Sequence, residues 1–197
     1  MKMGPKFERA LAYAARIHRK QTRKGTDVPY ISHLLAVAGI VLEYGATETE
    51  AIGALLHDAA EDAGGLRQLA IVKRKFGPQV AAIVADCSDT FETPKPPWKP
   101  TKTAYLAHLK TVSASVQLVS AADKLHNIRS IAADYATIGE KIWSRFSCSK
   151  ADTLWQYREL AKTYLAATPR SAAFRELARK VDETVRAVHR AAGVRYQ

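Results

Sequence analysis

Cysteine is almost absent: Cys87 and Cys148 are the only two in 197 residues. Neither belongs to a CxxC pair, which argues against both a disulfide framework and a thiolate metal site. No apolar run approaches the ~18 residues that a membrane span needs, and the N-terminal stretch from Leu11 to Ile17 is interrupted by Arg16. These absences predict a cytoplasmic protein with reduced thiols and no membrane contact. Strand-like alternation is missing too, and no internal repeat emerges. Carboxylates are scarce, 19 Asp and Glu against 30 Lys and Arg, for a net charge of +11.

The excess charge is uneven. Residues 1 to 24 hold eight Lys or Arg against one Glu, and residues 170 to 197 hold seven against three acids. Such faces can steer a polyanion toward a site, serve nonspecific nucleic-acid binding, or simply stay solvated. A length of 197 residues with 47% hydrophobic composition suits one sizeable core.

Apolar residues recur at helical spacing almost throughout, which predicts an all-α helical bundle. Phe7, Leu11, Ala14 and Ile17 form one stripe, and Leu34, Val37, Ala38, Val41 and Leu42 form another that ends at Gly45. A capping-box pattern, Thr47 with Glu50, starts a helix through Ala51, Ile52, Leu55, Leu56 and Ala59 that should run to Gly64-Gly65. Leu66, Leu69 and Val72 precede Phe76-Gly77, Pro78 can open the next helix, and Tyr105, Leu106, Leu109 and Val112 continue the pattern. Val116 to Ile131 form a long helix, and Leu154, Tyr157, Leu160 and Tyr164 another. Residues 91 to 100 hold four of the eight prolines and read as a stiff exposed loop, either a lid or a plain connector. The expected organisation is a domain over 1–168, followed after Thr168-Pro169 by a basic amphipathic helix over 169–197 carrying Phe174, Leu177, Val181, Val185 and Val188.

Chemistry concentrates in two short clusters. Leu55-Leu56-His57-Asp58-Ala59-Ala60-Glu61-Asp62 is one, and Ala121-Ala122-Asp123-Lys124-Leu125-His126-Asn127 is the other. With His33 they offer four metal ligands: His33, His57, Asp58 and Asp123. Two imidazoles and two carboxylates make a mixed N/O set suited to a divalent ion that keeps coordinated water, such as Mn²⁺. A single histidine on an apolar helix is more often a core residue than a ligand. Burying His57, Asp58, Glu61 and Asp62 on one apolar helix without compensation would, however, cost roughly 1–3 kcal/mol per unsatisfied group, and more for charges. On a continuous helix Glu61 lies one turn past His57 and Asp62 one turn past Asp58, which places the acidic pair on the metal face.

Several segments in a fixed order carry a resemblance. Ala14-Ala15-Arg16-Ile17-His18, Gln21-Thr22-Arg23-Lys24-Gly25, Pro29-Tyr30-Ile31-Ser32-His33, Ala54-Leu55-Leu56-His57-Asp58 with Glu61-Asp62, Phe76-Gly77 and Ala122-Asp123-Lys124-Leu125-His126-Asn127 resemble the HD-domain phosphohydrolases. Within these the chain is most similar to the small alarmone hydrolases related to the hydrolase domain of Rel/Spo proteins, over about residues 5 to 165. The resemblance implies a single HD-domain helical bundle, with the C-terminal helix beyond the family core. It implies His33, His57, Asp58 and Asp123 as metal ligands, with Glu61 and Asp62 activating and positioning water. Arg23 and Lys24 would line the nucleotide site, Arg23 against the base, and Asn127 and Ser130 would contact the ribose side. The similar enzymes release the 3′-diphosphate of guanosine tetra- or pentaphosphate as pyrophosphate.

Three departures stand out. Leu34 follows His33 where the family usually has proline, Cys87-Ser88-Asp89-Thr90 replaces a Thr-Lys pair of the long Rel proteins, and the 91–100 segment is unlike theirs. The expected reaction is Mn²⁺-assisted hydrolysis with Glu61 or Asp62 taking the proton. The expected partner is a small nucleotide, with no specific nucleic acid and no membrane; homo-oligomer formation is left open. Rival readings are a 5′-nucleotidase, a hydrolase of adenosine-based alarmones or of NADPH, and a noncatalytic nucleotide- or RNA-binding module. The last predicts a lost ligand or a missing acidic pair, and neither is seen.

Overall fold

The computed structural model describes residues 2–92, 94–168 and 171–196. Thr93, in the proline-rich segment, and Pro169, at the expected boundary before the last helix, lie outside the described residues. The described residues form α1 (Pro5–Ile17), α2 (Ile31–Glu43), α3 (Glu48–Leu56), α4 (Ala59–Ala63), α5 (Gly65–Phe76), α6 (Pro78–Cys87), α7 (Trp98–Leu109) and α8 (Ala114–Ile138). A 3₁₀ segment (Gly139–Arg145), α9 (Lys150–Ala166) and α10 (Ala172–Ala191) follow. Among these residues the extended pairing is a single bridge between Thr22 and Pro29, so the all-α expectation holds.

Local chemistry starts most of these helices. Pro5 and Pro78 occupy first turns, where the missing N–H has no intrahelical partner to lose. The capping box forms as read: the Glu50 N–H donates to Thr47 Oγ1, and the Thr47 N–H donates to the Glu50 carboxylate. Ser113, Ser149 and Ser171 accept from Val116, Asp152 and Phe174 at the starts of α8, α9 and α10.

α3 is the hub, packed against α1, α2, α6 and α8. Its Ala51, Ile52, Ala54, Leu55 and Leu56 are fully buried. Gly53 lets α6 approach: a Cβ there would lie 2.7 Å from Ile83 Cγ2, which is held on a stiff β-branched side chain. Gly53→Val is therefore expected to lower the unfolding free energy by roughly 1–3 kcal/mol, measured by urea denaturation; an unchanged midpoint would show that α6 can move aside. α8, about 37 Å long at 1.5 Å per residue, runs past α2, α3, α6, α9 and α10. Its buried Ser120 hydroxyl lies 2.8 Å from the Tyr105 hydroxyl and 2.7 Å from that of Tyr164. The C-terminal apolar stripe, including Phe174, Leu177, Val181, Val185 and Val188, is buried where α10 packs on α8 and α9.

Two expectations need correction. The helix from Thr47 does not continue to Gly64: α3 stops at Leu56 and α4 starts at Ala59. His57 Nδ1 lies 2.8 Å from the Ala54 carbonyl, the acceptor that the Asp58 N–H would use in a continuous helix, so the side chain competes with the ladder. The proline-rich segment is also not loop throughout, because α7 begins at Trp98 and takes in Pro100. Pro100 falls in the first turn, where a missing N–H breaks no helical bond. No helix among the described residues is long and apolar enough to cross a membrane.

Candidate metal centre and nucleotide cleft

α2 brings His33, the α3–α4 break brings His57 and Asp58, and α8 brings Asp123 to one point. His33 Nε2, His57 Nε2 and an Asp58 carboxylate oxygen lie within 4.8 Å of one another. The two imidazole nitrogens are 3.3 Å apart, and Asp58 Oδ2 is 3.0 Å from His57 Nε2 and 3.5 Å from His33 Nε2. Asp123 Oδ1 closes the other side, 3.2 Å from His33 Nε2 and 3.6 Å from His57 Nε2. Both histidines are almost completely buried, at 1% and 2% exposure, whereas Asp58 keeps 21% of its side chain open.

Two imidazole nitrogens at this separation repel unless a proton or a cation lies between them. The charge balance carries the same demand. Burial pushes the His57 pKa down, yet the Asp58 charge and the hydrogen bonds of Asp123 and Asp58 outweigh it and hold the imidazole well above its usual value. Burial likewise opposes ionisation of Asp58 and Asp123, but His57 in the first case and Lys124 in the second hold each carboxyl well below the usual range. The site is thus built to surround positive charge with two nitrogens and two carboxylates, and this donor set fits a divalent cation.

Neighbouring groups fix the four candidate side chains. His57 Nδ1–H donates to the Ala54 carbonyl, which leaves Nε2 free to ligate. His33 Nδ1 lies 2.8 Å from His126 Nδ1, and burial, followed by the His33 and Arg23 charges, lowers the His126 pKa to about 4, so His126 can accept as a neutral ring. The Tyr30 hydroxyl donates to Asp58 Oδ2 at 2.6 Å. Burial and then the charges of Asp58 and Asp62 push that phenol far upward, so it stays a donor. Asp123 accepts from Lys124 Nζ and Asn127 Nδ2, both at 2.6 Å. Tyr30, Lys124 and His126 lie inside the sequence motifs, but their spacing alone does not assign them these contacts.

Glu61 and Asp62 sit beside the ligand cluster rather than in it. Glu61 Oε1 accepts from Lys95 Nζ at 2.8 Å and Oε2 from the Asp89 N–H at 3.3 Å, which ties the proline-rich segment to α4. Asp62 Oδ2 accepts from Gln21 Nε2 at 2.8 Å, and Gln21 Oε1 lies 2.6 Å from His18 Nδ1. Among the described residues Asp62 Oδ1 has no hydrogen-bond partner and faces solvent.

A cavity of about 300 Å³ opens between Arg23, Lys24 and Tyr30 on one side and Asn127 and Ser130 on the other. All four residues expected at the nucleotide thus line one cavity. Arg23 Nη2 donates to Asn127 Oδ1 at 2.7 Å, and its guanidinium sits 5.9 Å from the Tyr30 ring centre. The Ser130 hydroxyl donates to the His126 carbonyl of its own helix at 3.0 Å. Ile131, Ile142, Phe146 and Tyr157 supply an apolar and aromatic wall, and Thr26, Asp134 and Arg145 complete the lining. A second hollow shares Lys24, Asn127, Phe146 and Tyr157 with the first and adds Lys102 and Lys124. A third, of about 440 Å³, continues past Lys102 to Lys95 and Glu61.

Residues 10–153 match the model of the HD domain. The chain belongs to the HD-domain family. Among relatives of this HD domain, the guanosine-3′,5′-bis(diphosphate) 3′-pyrophosphohydrolase MESH1 of Homo sapiens is 38% identical over 125 residues, which cover 62% of this chain and 67% of that protein. The GTP pyrophosphokinase rsh of Brucella melitensis is 34% identical over 128 residues, 64% of this chain but 17% of that much longer protein. A solved structure described as a metazoan ortholog of SpoT that hydrolyzes ppGpp superposes with a TM-score of 0.75 at 25% identity, covering 95% of this chain and 98% of that one. The Listeria monocytogenes protein lmo0812 shares the fold, with a TM-score of 0.70 at 23% identity over 80% of this chain and 99% of its own.

Proposed function

We propose that this chain is a metal-dependent phosphohydrolase that removes the 3′-diphosphate of (p)ppGpp-like alarmones as pyrophosphate, leaving GDP or GTP. The observation that carries the reading is the junction of cleft and centre: Tyr30 and Asn127, which line the cavity with Arg23, Lys24 and Ser130, hydrogen-bond Asp58 and Asp123 of the two-histidine, two-carboxylate centre. The name of the human relative and the activity described for the metazoan structure fit that cleft.

His33, His57, Asp58 and Asp123 would hold the ion, which we assign as Mn²⁺ from the balance of nitrogen and oxygen donors. When bound, it supplies Lewis-acid polarisation of a phosphoryl oxygen and lowers the pKa of water. Arg23 stacks on the base or forks onto phosphate, as its planar guanidinium allows. Lys24, Lys102 and Lys124 offset phosphate charge along the cleft. Asn127 orients the ribose while its amide holds Asp123, and Ser130 contacts the same side. Glu61 or Asp62 would take the proton, and Asp62 Oδ1 is the freer atom because both Glu61 oxygens are already engaged.

We also read 1–168 as the catalytic unit and 169–197 as an addition to it, supported by the position of α10 beyond the matched residues 10–153. A cytoplasmic location accords with two free cysteines and a nucleotide substrate.

Purified protein incubated with Mn²⁺ and a panel of ppGpp, ppApp, NADPH and 5′-nucleotides tests the assignment by chromatography. Pyrophosphate with a 5′-nucleotide supports it, whereas nucleoside released from a 5′-monophosphate identifies a nucleotidase instead. Arg23→Ala is expected to raise KM about tenfold or more, the loss of a hydrogen bond to a charged group, with metal content unchanged. Arg190→Ala, on the exposed face of α10, controls for bulk charge. Equal shifts in the two variants at two salt concentrations would deny Arg23 a place in the site.

A further inference from the structure

The base end of the cavity contains a carboxylate where phosphate chemistry has no use for one. Asp134 is the one acidic side chain among the described residues that line it, in company with Arg23, Lys24 and Arg145. It stands two helical turns past Asn127 on α8, about 10 Å along the axis at 1.5 Å per residue. Asn127 touches Asp123 of the metal centre, so the phosphates belong at that end and Asp134 lies far from them. The surrounding walls, Ile131, Ile142 and Phe146, are apolar or aromatic, as a purine plane requires.

Asp134 is also held in place. Arg145 Nη1 donates to Asp134 Oδ2 at 2.6 Å. Arg145 itself is confined by the Gln21–Gly25 loop: a Cβ on Gly25, whose φ is +72°, would lie 2.8 Å from Arg145 Cδ. Only glycine meets both demands, a positive φ and an arginine stem laid against the backbone. Asp134 Oδ1 accepts no hydrogen bond among the described residues, and Arg145 has N–H groups to spare. The pair therefore presents acceptor and donor side by side at one edge of the cavity.

We infer that Asp134, positioned by Arg145, reads guanine: its free carboxylate oxygen accepts from the guanine N1–H and 2-amino group, while Arg145 donates to O6. Adenine offers an acceptor at N1, which faces the carboxylate lone pairs, and it lacks the 2-amino donor. This rests on the nucleotide-hydrolase reading above and adds the residues that would select its base. The Asp134 side chain is 43% exposed, so water competes and discrimination belongs to the lower part of the range for a bidentate pair, about tenfold.

The test measures binding apart from turnover. Isothermal titration of the Mn²⁺-supplied protein with GDP, IDP and ADP should give GDP about tenfold tighter than ADP, with IDP, which lacks the 2-amino group, between them. Asp134→Asn should weaken GDP about tenfold and leave ADP unchanged or tighter; Asp134→Ala, with no amide to pair with adenine, should lose GDP preference alone. Equal affinities for GDP and ADP in the unmodified protein, or equal weakening of both by Asp134→Asn, overturn the inference. Hydrolysis of ppGpp and ppApp run in parallel separates the two readings. Selective GDP binding without ppGpp cleavage upholds guanine recognition and rejects the hydrolase, and cleavage of both substrates with equal product affinities does the reverse.

Discussion

His57→Ala is expected to abolish hydrolysis, by about 10³-fold or more, and to strip the bound metal. The side chain is 2% exposed and its Nε2 lies within 3.6 Å of all three partners: His33, Asp58 and Asp123. Its removal leaves the two carboxylates with one imidazole, and alanine offers no donor to restore the set. Asp58→Ala should behave alike and also leave the Tyr30 hydroxyl without its acceptor. Elemental analysis and steady-state kinetics on variants that keep their helical circular dichroism provide the check. Wild-type metal content together with wild-type turnover in either variant would remove these residues from the ligand set.

The second large effect separates proton transfer from metal retention. Glu61→Gln combined with Asp62→Asn should keep the ion bound and lower turnover by about 10²- to 10⁴-fold, the usual contribution of a general base. Neither carboxylate belongs to the His33, His57 and Asp58 cluster, and the amides preserve size while removing the basic oxygen. Within the pair, Asp62→Asn alone should carry most of the loss, because its Oδ1 is free. Glu61→Gln still leaves an oxygen for Lys95 Nζ and should cost less. Loss of metal from the double variant would move the acidic pair into the ligand sphere, and a larger effect from Glu61→Gln would reverse their roles.

What the sequence disclosed and what it concealed differ by range. The capping box at Thr47 and the Val116–Ile131 stripe depend on neighbours within a turn or two, and these local signals survive in the folded chain. The candidate ligands His57 and Asp58 stood out because they interrupt an apolar run, whereas His33 and Asp123 were joined to them by motif order alone, and Asp62, expected to be buried with them, is exposed. The break after Leu56 was hidden, since it arises from one side-chain nitrogen taking the Ala54 carbonyl and both residues there keep helical-region dihedrals. The tie from Lys95 to Glu61 and the arrival of Arg145 and Phe146 at the cavity were equally invisible. They join segments far apart in the chain, and no apolar period records such contacts. The start of α7 at Trp98 was missed for a third reason: a first-turn proline and a helix-breaking proline look the same until the helix boundary is known.

Removal of an intact diphosphate from the 3′ position is expected to require a cation held by His33, His57, Asp58 and Asp123. Chelator-stripped protein mixed with ppGpp and titrated with Mn²⁺, with nucleotide and phosphate products quantified together, tests it most directly. No turnover is expected in the stripped protein and, on restoring the ion, one pyrophosphate for each GDP. Turnover that persists without metal, or orthophosphate in place of pyrophosphate, would contradict it.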